Sequence, residues 1–414
     1  IHCVNLTQGI KEPVVYWRVD PDQKYLDAVD KAFSDIRQYN GFPNGMFGGD
    51  EALHGNNPTQ GSELCSAVEL MYSLEEMAKV TGRLEYVDHL ERIAFNALPS
   101  QITDDFTARQ YFQQPNQVMV TRCIHNFDIN HGNTDLVFGL LTGYPCCTSN
   151  LHQGWPKFTK HLWFASDDNG LAAMVYAPCH VTAKVADGQE VTLKEETNYP
   201  FDETIKITVS AKRKVSFPVH LRIPEWCDAP VLTVNGKACE TPGKGGMATI
   251  DRQWKSGDVI ELTLPMRVSV SRWYENSAVV ERGPLVYALR IGEQWKKVSF
   301  DGEFNGQHGD WYYEVLPTTP WNYCLRAKDI DNVEGAFKVV RREVSGYPWN
   351  QENTPLEIHA KGKRVPFWHE YNGSAGPMPF STLYQGTFPE EEDIVLIPYG
   401  CTTLRITEFP VTNR

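Results

Sequence analysis

Three cysteines and one glutamate, in two separate segments, have the side chains of a metal site. Cys146 and Cys147 are adjacent, and far upstream Cys65 follows Glu63 with one residue between them. Thiolate and carboxylate are both ligands of Zn²⁺, and three sulfurs with one oxygen would complete its tetrahedral coordination. A single buried cysteine is usually just a small hydrophobic residue. Because a disulfide between adjacent cysteines is strained, the combination favours a shared zinc ion.

A second acidic segment could supply a general acid. Asp50 and Glu51 follow two glycines, which predict a flexible loop. A carboxylic acid held over a reaction site could donate a proton to a leaving group. Acidic loop residues are more often simply solvated, and the residues by themselves favour that interpretation.

Residues 128–133 superficially resemble a calcium-binding loop flanked by His125 and His131. Such a loop needs a bidentate glutamate at its twelfth position, and Gly139 stands there instead. We therefore do not predict a calcium site in this segment.

Glu63 and Cys65 are expected at the entrance to a helix. Residues two positions apart project to opposite sides of a helix, so the pair could not bind one metal ion from within it. Apolar residues at helical spacing predict a helix over residues 64–80. The pair is therefore placed in an extended segment or in the first turn of that helix.

The cysteine pair is expected at a bend that precedes another helix. Pro145 favours an extended conformation in the residue before it, so Cys146 and Cys147 would follow a short extended segment. One of residues 148–150, a threonine, a serine and an asparagine, would then cap a helix that continues to Trp163.

The spacing of apolar residues changes from a helical to a strand period along the chain. Helices are predicted over residues 22–38 and 84–98 besides 64–80, and a helix-like segment runs from the first residues to Val19. From about Leu171, alternating apolar and polar residues predict antiparallel strands.

Three further predictions concern a turn, an irregular segment and a late strand in the β-rich part of the chain. Asn235-Gly236 predicts a type I′ hairpin turn. Residues 294–325, rich in Trp, Gly and Pro, are predicted to be irregular, and residues 404–406 to form a late strand.

The predicted fold class is α + β with several domains, because a chain of 414 residues is too long for a single core. The predicted domains are an α/α toroid over residues 1–168, which we interpret as the C-terminal part of an (α/α)6 barrel, and two antiparallel β-sandwiches over residues 169–282 and 283–414.

Composition excludes several classes of function. The formal net charge is −13, which disfavours binding to nucleic acid. No apolar stretch approaches the roughly 20 residues that a membrane span requires, so a soluble protein is expected. The ten cysteines have no regular spacing and do not indicate a disulfide scaffold. Aromatic residues make up 12% of the chain, which suits sugar stacking and an ordinary core equally well.

Four segments together resemble glycoside hydrolase family 127 and its relatives, the β-L-arabinofuranosidase group. They are Ser62-Glu63-Leu64-Cys65-Ser66-Ala67, Asp50-Glu51-Ala52, Cys146-Cys147 with Asn150, and Glu281-Arg282-Gly283-Pro284-Leu285-Val286-Tyr287. The likeness spans the whole chain and its order of domains, a helical toroid followed by two sandwiches.

The resemblance implies a role for individual residues and reverses the interpretation of Glu51 as a solvated acid. It implies Glu51 as the acid/base and His2 as a sugar contact. The nucleophile would be Cys146. The implied ligands of Zn²⁺ are Glu63, Cys65, Cys146 and Cys147.

Two departures from the family pattern concern the substrate. Characterised members of the family commonly continue the cysteine pair with Pro-Pro-Asn, whereas this chain has Thr148-Ser149-Asn150. Relatives carry a tyrosine before Asn-Pro, whereas this chain reads Tyr111-Phe112-Gln113-Gln114-Pro115. The phenol that contacts the sugar is therefore either shifted to Tyr111 or lost, and the chain represents a separate branch.

The function implied is an exo-acting retaining glycoside hydrolase that releases a terminal L-arabinofuranose-like sugar from plant-type glycans. One alternative is a non-catalytic carbohydrate-binding protein with a structural zinc, which could dispense with Glu51. Another is a thiol redox or metal-storage protein, but an adjacent cysteine pair lacks the intervening residues of the usual redox motif. The expected partner is an oligosaccharide or glycan rather than a nucleic acid or a membrane.

The beginning of the chain leads to one expectation and does not itself determine the location of the protein. It starts at Ile1-His2-Cys3, without an initiator methionine or a leader, and it contains fewer helices than a closed toroid needs. We therefore expect the chain to be the C-terminal part of a longer protein. A periplasmic or secreted bacterial location is favoured over a cytoplasmic one.

Overall fold

The computed structural model describes residues 1–379 and 390–413, which form a mixed α/β structure with many strands and few helices. They divide into two compact units. The larger unit comprises Ile1–Ser73, Arg92–Gly154 and Val268–Arg414, and the smaller unit comprises Leu74–Glu91 and Trp155–Arg267. Among the described residues, no helix has the length and apolar character needed to cross a membrane.

The helices concentrate in the first part of the chain. They are α1 (Cys3–Gly9), α2 (Glu12–Trp17), α3 (Lys24–Asn40), α4 (Leu64–Thr81), α5 (Leu84–Arg92), α6 (Cys146–Lys160), α7 (Ala327–Ile330) and α8 (Val333–Ala336). A π-helical turn, Ile93–Ala97, follows α5, and short 3-10 turns occur at Pro99–Gln101, Tyr274–Asn276, Glu303–Gly306 and Tyr399–Cys401.

The strands up to residue 264 form three sheets. They are β1 (Gly49–Asp50), β2 (Ala52–Leu53), β3 (Ser62–Glu63), β4 (Phe112–Gln113), β5 (Trp163–Ala165), β6 (Leu171–Ala173), β7 (Cys179–Val185), β8 (Gln189–Thr197), β9 (Thr204–Ala211), β10 (Val215–Arg222), β11 (Val231–Val234), β12 (Lys237–Cys239), β13 (Met247–Trp254) and β14 (Val259–Thr263). Their orders are β2-β1-β3-β4, β13-β10-β6-β5 and β12-β11-β14-β9-β8-β7.

The remaining strands belong to the larger unit. They are β15 (Val268–Arg272), β16 (Ala278–Arg282), β17 (Leu285–Leu289), β18 (Glu293–Ser299), β19 (Trp311–Pro317), β20 (Tyr323–Arg326), β21 (Lys338–Arg341), β22 (Leu356–Arg364), β23 (Glu370–Tyr371), β24 (Ser374–Ala375), β25 (Glu391–Pro398) and β26 (Val411–Thr412). An eight-stranded sheet has the order β15-β16-β17-β25-β22-β20-β26 with β21 paired to β22, and β18-β19 and β23-β24 form two-stranded sheets.

Several local predictions are confirmed. Helices 22–38 and 64–80 correspond to α3 and α4, and α4 ends before Gly82, whose φ of 69° only glycine adopts without strain. The turn between β11 and β12 has positive φ at both Asn235 and Gly236, as a type I′ hairpin requires. In the described part of the chain all ten cysteines are free.

Two helix predictions were too long. The segment predicted to run to Val19 is interrupted after Gly9, because Pro13 at the start of α2 lacks an N–H and its ring would clash with the carbonyl of Gly9 in a continuous helix. The helix predicted over 84–98 is α-helical only to Arg92 and continues as the π-helical turn Ile93–Ala97.

The prediction that residues 294–325 are irregular is wrong. The strands β18 and β19 pair along their whole length within this segment, and β20 follows them. Aromatic side chains stabilise the pair across the strands, with the rings of Trp295 and Tyr313 edge to face at 5.7 Å. The Gly and Pro content that suggested irregular structure lies mainly in the connecting segments.

The strand predicted over residues 404–406 is also absent. The backbone N–H of Leu404 donates to the Glu293 side chain at 2.9 Å, and that of Arg405 donates to the Gln117 carbonyl at 2.8 Å. Because these amides pair with a side chain and a loop, the segment makes no ladder with another strand.

A buried cation organises the smaller unit. Arg222, at the end of β10, is fully buried and its guanidinium lies 2.5 Å from a carboxylate oxygen of Glu91 and also contacts Asp88. The same Glu91 oxygen accepts a hydrogen bond from the hydroxyl of Tyr199 at 2.6 Å. This network joins α5 to the β-strands of the unit.

We predict that Arg222→Met destabilises the protein by about 3–5 kcal/mol, because it leaves the Glu91 carboxylate buried without its cation. Arg213→Met is the matched control, since Arg213 is exposed and its Nε donates to the side-chain oxygen of Gln189 at 2.9 Å. Urea unfolding of both variants measures the difference. Equal midpoints would show that the buried network contributes nothing to stability.

Candidate functional site

The strand β3 and the helix α4 present the first two candidate ligands. Glu63 is the last residue of β3, and Cys65 is the second residue of α4, as the sequence predicted for an extended segment and a first turn. The strand is fixed on both sides, by the parallel pair Gly49 with Ser62 and the antiparallel pair Glu63 with Phe112. The side chains of Glu63 and Cys65 are therefore held at the end of a central strand of the small sheet.

The helix α6 presents the cysteine pair. It begins at Cys146, so both cysteines lie in its first turn, and the prediction of a helix capped by residue 148, 149 or 150 is wrong. The Pro145 carbonyl already accepts the amide of Thr148 at 3.1 Å, and the Thr148 hydroxyl donates to a loop carbonyl instead of capping. The helix also stops before Trp163.

The helix α6 ends at Lys160 because the chain after it enters a sheet. The carbonyl of Leu162 accepts the amide of Met174 at 2.8 Å, and Trp163 begins strand β5. Sheet pairing therefore satisfies the backbone groups that the helix would have needed to continue.

Folding brings the four predicted ligands together. One ligand atom from each of Glu63, Cys65, Cys146 and Cys147 lies within 4.8 Å of the others. The sulfurs of Cys65 and Cys147 are 3.2 Å apart, and Oε1 of Glu63 lies 3.8 Å from the sulfurs of both Cys146 and Cys147. The cluster comes from two segments and exists only in the folded chain.

The donor set fits a thiophilic divalent cation. Oε2 of Glu63 is buried and has no hydrogen-bond partner among the described residues, which is costly unless a cation or a proton compensates it. Burial, together with the charges of Glu51 and Cys146, raises the pKa of Glu63 to about 8. Three sulfurs and one carboxylate oxygen at these separations could hold a divalent metal ion in tetrahedral coordination.

The three thiols are not equivalent. Hydrogen bonds from Cys147 and Cys65 lower the pKa of Cys146, whereas burial raises the pKa of Cys147. Cys146 is also the only half-buried member of the four; the others are buried. Negative charge is therefore most stable on the sulfur that another molecule can reach.

Glu51 lies beside the cluster in the turn between β1 and β2. Its φ is 77°, a conformation unusual for a residue other than glycine, and its carbonyl accepts the amide of Cys3 at 2.8 Å. One oxygen atom from each of Glu51 and Glu63 and a ring nitrogen of His2 lie within 4.8 Å of one another. Glu51 is thus not a solvated loop acid; its side chain is 13% exposed.

Three side chains contact the carboxyl group of Glu51. Nε2 of His2 lies 2.9 Å from Oε2, and the hydroxyl of Tyr111 donates to Oε1. Nε2 of His131 lies 3.5 Å from Oε1. The structure therefore brings the predicted residues His2 and Tyr111 to Glu51 and adds His131, which the sequence analysis had considered only as part of a discounted calcium loop.

Tyr111 connects the acid to the thiols. It is buried, and its hydroxyl lies 4.0 Å from the sulfur of Cys146. Its carbonyl accepts the amide of Leu64 at 3.0 Å, so it is tied to the start of α4. A Cβ at Gly143 would lie 2.3 Å from the Tyr111 ring, so only glycine fits there.

The sequence analysis missed two further residues of the site. Asp135 is buried and bonds through Oδ1 to Nδ1 of His131 at 2.6 Å. Burial disfavours the charged imidazole, but the hydrogen bond and charge of Asp135 outweigh it and raise the pKa of His131. The i, i+4 spacing of this pair was the available signal.

Arg109 is the second missed residue, and nothing in the sequence distinguished it from other arginines. It is buried, and its guanidinium donates to the carbonyl of Tyr144 at 2.8 Å and to the hydroxyl of Thr148 at 3.1 Å. These bonds fix the segment that enters α6 and with it the position of the cysteine pair.

Two models of known protein domains match successive parts of this chain. Residues 2–160 match the model of the β-L-arabinofuranosidase GH127 catalytic domain, and residues 170–266 match that of the GH127 middle domain. The curated non-reducing end β-L-arabinofuranosidase of Bifidobacterium longum subsp. longum is 27% identical over 262 residues, which are 59% of this chain and 38% of that protein.

Solved structures have the same fold at low sequence identity. A GH127 β-L-arabinofuranosidase from Geobacillus stearothermophilus T6 superimposes with a TM-score of 0.71 and 20% identity over 99% of this chain and 60% of that one. A second GH127 β-arabinofuranosidase gives a TM-score of 0.70 and 19% identity, also over 99% of this chain and 60% of that one.

This chain thus spans well under two thirds of the curated relative and about 60% of these two structures. Two models of one family match successive parts of the chain, and the fold of that family covers nearly all of it. The protein belongs to glycoside hydrolase family 127, the β-L-arabinofuranosidase family.

Proposed function

We propose that this protein is an exo-acting retaining glycoside hydrolase that releases a terminal L-arabinofuranose-like sugar from plant-type glycans. The observation that carries the proposal is the position of Glu51 beside the ligand cluster, with the Tyr111 hydroxyl in contact with both Glu51 and Cys146. A structural metal site alone would not need a second carboxyl group at this place.

Cys146 is the nucleophile of the proposed reaction. Zn²⁺ bound by Glu63, Cys65, Cys146 and Cys147 would remove the thiol protons and keep Cys146 ionised at neutral pH. Cys146 is the cluster member that is half-buried rather than buried, so its sulfur is the one that a sugar can approach. The sulfur attacks the anomeric carbon as the bond to the leaving oxygen breaks.

Glu51 is the acid and then the base. In the first step it transfers its proton to the leaving oxygen, while a thioether forms between Cys146 and the sugar. In the second step its carboxylate takes a proton from water, whose oxygen attacks the anomeric carbon. The carbon–sulfur bond breaks, and Cys146 returns to the thiolate. Two displacements at one carbon retain its configuration.

His2 and Tyr111 are the proposed sugar contacts. His2 is half exposed beside Glu51, and the hydroxyl of Tyr111 lies between the acid and the sulfur. Thr148 and Ser149, which replace the two prolines common in characterised members, follow the cysteine pair directly. We propose that they alter the choice of sugar or aglycone rather than the chemistry.

The proposal includes the finer architecture expected from the sequence. Residues 1–168 would form an α/α-toroid domain that holds the site, and residues 169–282 and 283–414 two β-sandwiches. A periplasmic or secreted location is part of the same proposal.

We predict that the protein purified without added metal contains stoichiometric zinc, because three sulfurs and one carboxylate converge on one point. Inductively coupled plasma mass spectrometry measures the content. Cys65→Ala should lose the metal, while Cys324→Ala should keep it, since Cys324 is a buried cysteine of strand β20 outside the cluster. Protein with intact thiols but no zinc would contradict the site.

We predict that Cys146→Ser lowers kcat by at least about 10³-fold with the zinc retained in part, as expected for loss of a nucleophile. Cys147→Ser should chiefly weaken zinc binding, because its sulfur is buried. An electrophilic analogue of arabinofuranose should label Cys146, which peptide mass spectrometry can identify. A label on a carboxylate would reverse the assignment of the nucleophile.

We predict that Glu51→Gln lowers kcat/KM by about 10²–10⁴-fold for arabinosides with a sugar or alkyl leaving group. The loss should be far smaller for the 4-nitrophenyl arabinoside, because its leaving oxygen needs no proton. The measurement compares kcat/KM of wild type and Glu51→Gln on an alkyl arabinoside and on the 4-nitrophenyl arabinoside. An equal loss on both, or none, would show that Glu51 does not act as the acid, and a wild-type protein that binds glycans without cleaving them would favour a carbohydrate-binding function.

A further inference from the structure

The carboxyl group of Glu51 has two oxygens in different surroundings. Oε1 accepts the hydroxyl of Tyr111 and also faces Nε2 of His131 at 3.5 Å. Oε2 faces Nε2 of His2 at 2.9 Å, and the His2 side chain is 44% exposed, against 20% for His131. One oxygen is therefore enclosed by the protein and the other lies toward an exposed side chain.

His131 is itself held by Asp135. Its Nδ1 lies 2.6 Å from Oδ1 of Asp135, and its backbone N–H donates to Oδ2 at 2.9 Å. Asp135 is fully buried. An ionised carboxylate can only accept hydrogen bonds, so Nδ1 of His131 carries a proton. Burial opposes a charged ring, but Asp135 and Glu51 raise the pKa of His131, which favours a second proton on Nε2, the nitrogen that faces Oε1 of Glu51.

Aromatic packing restricts the ring further. The His131 imidazole lies edge to face with Tyr111, with centroids 5.1 Å apart, and is tilted against Phe112 at 6.5 Å. Tyr111 and His131 thus contact both each other and the same oxygen of Glu51. A carboxyl group that must release and regain a proton at one oxygen benefits from such a support at the other.

We propose that His131, oriented by Asp135, is a positioning residue that holds Oε1 of Glu51, so that Oε2 is the oxygen that exchanges protons with the leaving group and with water. This inference rests on the proposed function of Glu51 and goes further by assigning the working oxygen. On binding, the sugar would displace His2 from Oε2, which the exposure of His2 allows. His131 and Tyr111 would stay in place.

The test compares leaving groups. His131→Phe removes Nε2 but keeps a planar ring, and it should lower kcat/KM about 10–100-fold for an arabinoside with an alkyl leaving group. For the 4-nitrophenyl arabinoside, which needs no proton, the loss should be within about threefold. A general loss of folding or zinc would reduce both rates equally, so the ratio of the two rates separates positioning from structural damage.

Two further variants test the role of His131 if the His131→Phe protein does not fold. His131→Gln keeps an amide near the position of Nε2 and should recover part of the rate on the alkyl arabinoside. Asp135→Asn keeps an acceptor for the His131 backbone and should show the same selective loss as His131→Phe but a smaller one. The control is His220→Phe, since His220 also pairs with an aspartate, Asp168 at 3.1 Å, but belongs to the smaller unit.

The Glu51→Gln variant separates failure of this inference from failure of the proposed function. If Glu51→Gln shows the selective loss, adding His131→Phe to it should cause no further loss, because the two residues act through one carboxyl group. An additional loss in the double variant, or an equal loss of His131→Phe on both substrates, would overturn the role of His131 alone. A Glu51→Gln variant without selectivity would overturn the assignment of Glu51 and this inference with it.

Discussion

The buried carboxyl group of Glu63 among three cysteine sulfurs is the constraint on which the site depends. Its Oε2 has no hydrogen-bond partner among the described residues, and burial raises its pKa to about 8. Groups that carry negative charge when ionised are costly to bury together unless a cation compensates them. A bound cation would therefore stabilise the cluster, and we propose that folding energy and chemistry depend on the same ion.

The small sheet and the first turns of α4 and α6 position the groups around Glu63 for the proposed reaction. Glu63 pairs with Phe112 across the sheet, so its neighbour Tyr111 necessarily lies next to the cluster. The turn that follows β1 brings Glu51 to the hydroxyl of Tyr111. Arg109, two residues before Tyr111, fixes the segment that leads to Cys146. The segment 109–112 thus connects the proposed acid, the proposed sugar contact Tyr111 and the proposed nucleophile.

The negative charge of buried carboxyl groups has different surroundings in the two compact units. In the smaller unit, buried carboxylates are compensated by a permanent cation, the guanidinium of Arg222. In the larger unit, Glu63 has three cysteines around it, and no arginine or lysine among the described residues forms an ion pair with it. The contrast is consistent with a structural role for the first network and a chemical role for the second.

The sequence by itself determined the residue types and the local elements. Helical spacing predicted α3 and α4, alternation predicted that strands follow from about Leu171, and Asn235-Gly236 predicted its turn, because these features depend on near neighbours. The four ligands and Glu51 were also named from sequence, although the resemblance to a family was needed to favour Glu51 over a solvated acid.

Only the tertiary structure decided where elements end and which side chains meet. The helix α6 starts earlier and stops sooner than its sequence suggested, because the Pro145 carbonyl and the pairing of Leu162 with Met174 satisfy its backbone. Residues 293–317 form a hairpin through backbone pairing and aromatic contacts between its two strands. The spacing of His131 and Asp135 signals only that local pair, whereas the position of His131 against Glu51 also depends on packing with Tyr111. Contacts between residues far apart in sequence form only when the chain folds, and they determine both the metal cluster and the surroundings of the acid.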